Sequence, residues 1–353
     1  MISFRTSQTS PIGLHIDGST ATLVQLSGPP GAREPFALAH GKLPIVESKS
    51  SEEQDKATAA AIRQLVSDHQ FRGRHVVSCF GAQELFVQNM RLPKLPTEEI
   101  QKVVNWEAEE RLPYGVADAE IRHLVAGQVR QDSNLKQEII LLACHKGVVQ
   151  RHIHLLEMAG LQPAAIDIEP CAVLRSLQEE DAPSDSPIRC GYLNLGQRST
   201  TVLIAEQSQI LFLKYIATGA DTFDKAVARH LDLSLDEAAS VRANVNTATQ
   251  LDSQDELHRS VIEAIRETLE AVAGEIELCM RYYKVTFRGK PLDRVILTGP
   301  DSSPWLAEFL SRQLRVPCEV GRPFGNLKGH NTDTALSSKP GRWATALGLA
   351  MKC

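Results

Sequence analysis

Hydrophobic and polar positions follow two periods along the chain. Gly13-Leu-His-Ile-Asp-Gly-Ser-Thr-Ala-Thr-Leu-Val24 reads as a strand, a small-residue turn and a second strand. Tyr192-Leu-Asn-Leu-Gly-Gln-Arg-Ser-Thr-Thr-Val-Leu203 repeats it: placing His15 over Asn194 puts Ile16 over Leu195, Thr20 over Ser199, Thr22 over Thr201 and Leu23 over Val202. The second copy runs on as a hairpin, Val202–Glu206, a turn at Gln207-Ser208-Gln209, then Ile210–Ile216. The first runs through Gly28–Gly31 towards Phe36–His40 in the same way. Strands followed by helices in each half predict an α/β chain with helices stacked on mixed sheets, and the shared opening predicts a duplication. Helical spacing appears at Ala57–His69 (Ala61, Ile62, Leu65, Val66) and from Thr97 to Arg111, with Thr97 as the expected N-cap and Pro113 as the stop. The longest helix is expected over Asp255–Tyr283. Its stripe of Leu257, Val261, Ile265, Leu269, Val272, Ile276 and Tyr283 suits packing on its own domain better than a coiled coil.

Three polar stretches punctuate these elements: Glu47–Lys56 as a loop or the lead-in to a helix, Gln178–Pro187 as a linker at mid-chain, and Lys328–Gly341 as a late loop. The 353 residues suggest two or three packed units that need no disulfide or metal staple. A net charge of −5 argues against a generally basic nucleic-acid binder. The longest apolar run, Ile139–Ala143, is far short of the ~20 residues of a spanning helix, and Met1–Thr6 has no signal core, so a cytoplasmic protein is expected. The seven cysteines are scattered without a Cys-x-x-Cys pair and read as small hydrophobes. His145, His152 and His154 do not share a helical face, which argues against a metal trio.

No P-loop, GxGxxG, GxSxG or HExxH motif occurs. The remaining candidates are the paired strand–turn–strand segments, whose backbone N–H groups suit a polyphosphate, and the turn after Arg294-Val-Ile-Leu-Thr-Gly299, which suits a nucleoside. Several further segments carry a resemblance. They are Met90-Arg-Leu-Pro-Lys-Leu-Pro-Thr-Glu-Glu-Ile100, Asn105-Trp-Glu-Ala-Glu-Glu-Arg-Leu-Pro113, Met158–Pro163, Ala165-Ile-Asp-Ile-Glu-Pro170, Met280-Arg-Tyr-Tyr283, Arg294–Gly299 and Ala346-Leu-Gly-Leu-Ala350. Together they resemble the type IV pilus assembly protein PilM family, collinearly over nearly the whole chain. That family is grouped with the cell-division protein FtsA in the actin-like ATPase superfamily.

The resemblance implies an actin-like fold of duplicated ribonuclease-H-like lobes with a small inserted α+β subdomain. Residues 10–84 and 162–186, with a C-terminal helix over 341–353, would form the first lobe, and 85–161 the insertion. Residues 187–230 and 290–330 would form the second lobe, and 231–289 its helical subdomain. ATP with Mg²⁺ is the implied ligand, held at His15, Asp17, Gly18 and Ser19 in the first motif, Asn194, Gly196, Gln197 and Arg198 in the second, and Gly299 and Pro300 in the third. Each motif departs from the family pattern: His15 replaces an acid, Asp17 a glycine, Thr22 a lysine and Asn194 an aspartate, while Pro300 removes an N–H. An imidazole and a carboxamide do not neutralise Mg²⁺ as two carboxylates do, so ATP hydrolysis is expected to be lost and no catalytic residue is assigned. Asp17 in the adjacent turn is the acid left to hold a metal.

The implied role is a cytoplasmic scaffold, peripheral at the inner membrane, that binds the tail of a PilN-like single-pass protein between main lobe and insertion. Leu92, Pro93, Leu95 and Pro96 are the expected contact residues, and self-association is a further option. The alternatives are an active ATPase or small-molecule kinase, with Asp167 and Glu169 as available acids, and an FtsA-like filament protein. Direct membrane insertion is disfavoured, because the chain ends Leu349-Ala-Met-Lys-Cys353 without an amphipathic helix.

Overall fold

The computed structural model describes residues 9–29, 31–46, 50–131, 134–178, 188–248, 250–252, 254–287, 291–325, 327 and 339–352. Most of the mid-chain linker, residues 328–338 of the late loop, and Cys353 lie outside the described residues. The chain forms two compact units, one from the described residues of Met1–Gly81, Gly147–Glu180 and Arg322–Cys353, the other from Ala82–Lys146 and Asp181–Gly321.

The first unit contains strands β1 (Ile12–Asp17), β2 (Thr20–Ser27) and β3 (Glu34–Lys42), helix α1 (Ser51–Asp68) and strand β4 (His75–Phe80). The insertion follows, with β5 (Phe86–Pro93), α2 (Thr97–Glu109), β6 (Ala119–Gln131) and β7 (Asn134–His145). The chain then returns to the first unit through α3 (Lys146–Met158), β8 (Gln162–Ile168) and α4 (Glu169–Leu177). The second unit continues with β9 (Arg189–Leu195), β10 (Thr200–Glu206), β11 (Gln209–Ile216), α5 (Ala220–Leu231), α6 (Leu235–Val245), α7 (Glu256–Thr286), β12 (Arg294–Thr298), α8 (Pro304–Leu314) and β13 (Cys318–Val320). Helix α9 (Ala344–Ala350) closes the first unit.

The two large sheets have one topology. Their orders are β3-β2-β1-β4-β8 and β11-β10-β9-β12-β13, an antiparallel meander of three strands joined to two parallel strands, as in a ribonuclease-H-like lobe. The register matches the sequence superposition: His15 lies opposite Thr22 in the first sheet, and Asn194 lies opposite Thr201 in the second. Central strands such as β9 are buried almost throughout and need helices on both faces.

In the first unit, Ile12, Leu14, Ala21 and Leu23 pack with Ile62 of α1 and with Leu155 and Leu156 of α3, a helix expected to belong to the insertion. The other face receives α9, where Ala346, Leu347 and Ala350 cover Val24 and Leu26. This helix is rich in small residues because backbones meet there. A β-carbon on Gly13 would collide with the Ala346 carbonyl, and one on Gly348 with the Ala172 carbonyl of α4.

The insertion is the three-stranded sheet β5-β7-β6. One face buries Met90, Leu92, Ile139 and Leu141 against Ile100, Val104 and Ala108 of α2, while Trp106 of that helix is exposed. The other face is fastened to α7. Glu138 is buried and accepts from Arg91 Nε (2.9 Å) and from the Tyr282 hydroxyl (2.9 Å), and Arg91 Nη2 also donates to Thr286 Oγ1 (3.1 Å). Gln209 Nε2 donates to the Ala126 carbonyl (3.2 Å).

Helix α7 follows its predicted stripe from the second turn onward. Val261, Ile265, Leu269, Val272, Ile276 and Tyr283 enter the core of the second unit, whereas Leu257, expected in the same stripe, sits exposed in the first turn, and Asp255 caps the start by accepting from Leu257 N (2.8 Å) and His258 N (3.3 Å). Two helix starts differ from expectation. Helix α1 begins at Ser51, taking in polar residues whose Glu52 and Glu53 suit the positive end of the helix. Thr97 is the first residue of α2 instead of its cap, because the Pro96 carbonyl already accepts from Glu99 N (3.0 Å).

Candidate functional site

The turn between β1 and β2 is a two-residue loop, Gly18-Ser19, closed by the Asp17–Thr20 pair, with Gly18 at φ +56°. Thr20 Oγ1 donates to the Asp17 carbonyl (3.0 Å), and Leu43 N donates to the Ser19 carbonyl (2.7 Å). Behind the turn, His15, Thr22 and His40 stand in register across three strands. Thr22, at the position of the family's lysine, is buried and bonded to His40 Nδ1 (2.9 Å), so it does not reach outward. Burial holds His15 below the ordinary imidazole range, with Asp17 opposing the shift only in part. His40 is pushed down to about 4 by burial and by Arg342 and Lys339. The ladder therefore presents neutral imidazoles and a hydroxyl at neutral pH.

His152 is likewise pushed down to about 4 by burial, beside Ser78 Oγ (2.8 Å) and the Phe80 ring. His145 packs on Tyr114 and His154 is exposed, so the sequence trio faces three ways. The pH consequence has a definite sign. An unfolded histidine takes a proton near pH 6.5, whereas folded His40 and His152 resist until about 4. Their stabilisation is complete above pH ~6.5 and is lost as the pH falls towards 4. Together they should cost on the order of 3 kcal/mol between pH 7 and pH 5. Urea unfolding at the two pH values reads this; a His40→Gln/His152→Gln variant with an equally steep loss would refute it.

In the second unit the turn after β9 runs Gly196-Gln197-Arg198-Ser199. Gly196 N donates to the Ser199 carbonyl (3.0 Å), and the Gly196 and Gln197 carbonyls accept Ala220 N (3.0 Å) and Asp221 N (2.9 Å) at the start of α5. Gln197 Nε2 also donates to the Asp221 carboxylate. Gly219 and Gly299 let two more segments close on this turn; Gly299, at φ +94°, has no room for a β-carbon against Leu195. Asn194 is buried opposite Thr298 of β12. The second and third sequence motifs, Asn194, Gly196, Gln197, Gly299 and Pro300, thus meet in one place, with Arg198 exposed at the tip.

Beside Pro300 lies a buried charge cluster that sequence reasoning missed. Arg242 of α6 donates through Nε to Asp224 of α5 (2.6 Å) and through Nη1 to Asp301, which also accepts from Asn246 Nδ2 (3.3 Å). Burial alone would lower the pKa of Arg242; Asp301 and Asp224 outweigh it and hold the guanidinium charged. Burial lifts the Asp224 carboxyl, and its pairing with Arg242 works the other way. The available signal was an arginine at helical spacing between Ala238 and Val245 on a buried stripe, which demands carboxylate partners.

The other sequence candidates divide. Leu92 is buried in the insertion's core and Leu95 packs against it, while Pro93 and Pro96 are exposed. Leu92 is therefore not a surface residue, because alternate β5 side chains face α2. Asp167, a possible kinase acid, is tied to Arg175 (2.9 Å) and Lys352 (3.0 Å). Burial raises the Cys144, Cys171, Cys279 and Cys318 thiols to about 11, far from a thiolate nucleophile at neutral pH. Among the described residues no helix is long and apolar enough to cross a membrane.

Comparison with solved structures shows two close likenesses. A PilM–PilN type IV pilus biogenesis complex contains a chain that superposes with TM-score 0.81 at 23% identity, over 97% of this chain and 98% of that one. The ethanolamine utilization protein EutJ from Carboxydothermus hydrogenoformans superposes with TM-score 0.58 at 15% identity, over 99% of this chain and 92% of that one. With the two matching sheets, these likenesses establish the actin-like fold that the sequence resemblance implied. The sequence profile of the type IV pilus assembly protein PilM family matches residues 33–353, and the chain belongs to that family.

Proposed function

We propose that this PilM-family chain is an assembly scaffold that binds the cytoplasmic tail of a PilN-like membrane protein and does not hydrolyse ATP. It would then sit at the inner membrane through that partner. The reading divides the chain as the resemblance implies, with lobes over 10–84, 162–186 and 341–353 and over 187–230 and 290–330 and a helical subdomain over 231–289, except that the insertion expected over 85–161 ends before α3, which packs on the first sheet.

One observation carries the loss of hydrolysis: His15 and Asn194 hold equivalent register positions in the two sheets, and both are uncharged. The carboxylates nearest the second loop are engaged elsewhere, Asp221 with Gln197 and Asp301 with Arg242. These groups fit Mg²⁺ poorly, because a divalent ion wants unpaired hard oxygen donors. Within the first unit a retained nucleotide would have the backbone of Gly18 and Ser19 with the Asp17 carboxylate; within the second it would have the backbone of Gly196 and Gly299, with Arg198 at the loop tip and Gln197 and Pro300 lining the loops. The partner reading draws support from the PilM–PilN likeness, and Pro93 and Pro96 are the exposed candidates on the insertion.

Two measurements test this. Calorimetric titration with the partner's tail peptide should give saturable binding, and no heat at high micromolar peptide would count against the scaffold. Turnover of ATP with Mg²⁺ should be absent in the wild type, and the His15→Asp/Asn194→Asp variant should gain nucleotide affinity. Robust wild-type turnover would overturn the reading.

A further inference from the structure

The turn after β12 and the loop after β9 are the segments whose sequence suits a nucleoside and a polyphosphate. Both line one cavity of the second unit, Asp301 from the turn and Leu195 and Gly196 from the end of β9 and its loop. The other walls come from α5, α6, α7 and α8, so this is the space in which a base held by the two segments would lie. Its volume is about 30 Å³, room for a water or two. Leu269 and Ile276 of α7 and Trp305 and Leu310 of α8 fill the apolar side.

A pocket for a base combines an apolar slot with a few polar groups left to the ligand. Here the chain uses both itself. Phe223 of α5 is an aromatic wall of the cavity, and the Arg242 guanidinium lies over its ring, 5.9 Å from the centroid, where a base would stack. The polar groups answer one another: Arg242 holds Asp224 and Asp301, Asn246 Nδ2 donates to Asp301 (3.3 Å), and Thr200 Oγ1 donates to the Thr218 carbonyl (2.8 Å). The loops are closed in the same manner. The N–H groups of Gly196, Ala220, Asp221 and Ser302 donate to the Ser199, Gly196, Gln197 and Gly299 carbonyls, and Pro300 has no N–H to offer. A β-carbon on Gly219 would lie 2.5 Å from Ser199 N, so α5 sits hard against the loop. Opening this space breaks buried charge-assisted bonds that an uncharged base does not replace.

We propose that Arg242, with Asp224 and Asp301, plugs the nucleoside end of the second unit, so that the chain excludes the base and sugar of a nucleotide whatever becomes of its phosphates. The inference goes past the loss of hydrolysis proposed above, which concerns the metal, and it rests on the actin-like reading of the two loops.

Calorimetric titrations of the full chain with adenosine, Mg²⁺-tripolyphosphate and Mg²⁺-ATP test the plug. The wild type should take up no adenosine up to about 1 mM. In His15→Asp/Asn194→Asp the restored acids act on metal and phosphates alone, so ATP and tripolyphosphate should bind within about twofold of each other. Arg242→Ser/Asp224→Ser removes the buried pair together and frees the face of Phe223, and should take up adenosine below that concentration, with circular dichroism checking its fold. Acids that bring no gain for either phosphate ligand would count against the metal argument above, and the adenosine titrations would still decide the plug. Adenosine binding to the wild type, ATP binding more than about tenfold tighter than tripolyphosphate, or a folded Arg242→Ser/Asp224→Ser variant that ignores adenosine would each overturn the proposal.

Discussion

Gly348→Ala is expected to lower stability by at least ~3 kcal/mol, although it adds a single methyl to a helix. Alanine is the better helix former, so propensity alone predicts a gain. The position decides otherwise. The new β-carbon would fall on the Ala172 carbonyl of α4, where the obstruction is backbone and does not swing aside. Relief requires α9 to lift from α4, which uncovers Val77 and Leu349 between them and loosens Val24, Leu26 and Trp343 on the same sheet face. Gly274→Ala supplies the internal control, since nothing beyond the adjoining backbone of its own helix lies within 4 Å of the added carbon in the middle of α7. That substitution should stabilise by roughly 0.5–1 kcal/mol. Urea unfolding of both variants reads the contrast; equal effects would mean that the close approach of α9 and α4 is misjudged.

Arg242→Ala should cost about 3–5 kcal/mol at pH 7, for an electrostatic reason. Removing the guanidinium leaves Asp224 and Asp301 side by side in a largely buried site, with Asn246 still donating to Asp301. Two carboxylates so placed repel each other and resist ionisation, so their folded pKa values rise above the unfolded ones. The penalty should therefore shrink as the pH is lowered and they take up protons, opposite in sign to the histidine effect in the first unit. Arg242→Met with Asp224→Leu should recover more than half of the loss, because the pair leaves together and Asp301 keeps Asn246. Denaturation curves for the three proteins at pH 7 and pH 5 check this. A loss below ~1 kcal/mol for Arg242→Ala would show that the cluster is solvated, as exposed ion pairs are.

The duplication was legible because strand pairing preserves spacing: seven positions separate His15 from Thr22 and Asn194 from Thr201, and both pairs face each other across a hairpin. The stripe of α7 was legible because one continuous helix carries the whole signal. The Arg242 cluster was not, because its partners come from α5 and from the turn after β12, 18 and 59 residues away in opposite directions. The Leu92–Pro96 turn was half legible: its prolines are exposed as a turn demands, but period-two alternation turns Leu92 inward. The start of α1 was hidden for a different reason, since acidic residues favour both a loop and the first turn of a helix.

The Glu138 junction bears on how this chain can be cut and rejoined. Residues 82–146 look like a cassette, entered after one strand of the first sheet and left just before its next helix. Yet Arg91 and Glu138 are stitched to Tyr282 and Thr286, far along the chain. Splicing Gly81 to Gly147 would leave the last turns of α7 with a bald patch and the Tyr282 and Thr286 hydroxyls without Glu138 and Arg91. A lineage that shed or swapped this cassette would have had to rewrite the end of α7 in the same stroke.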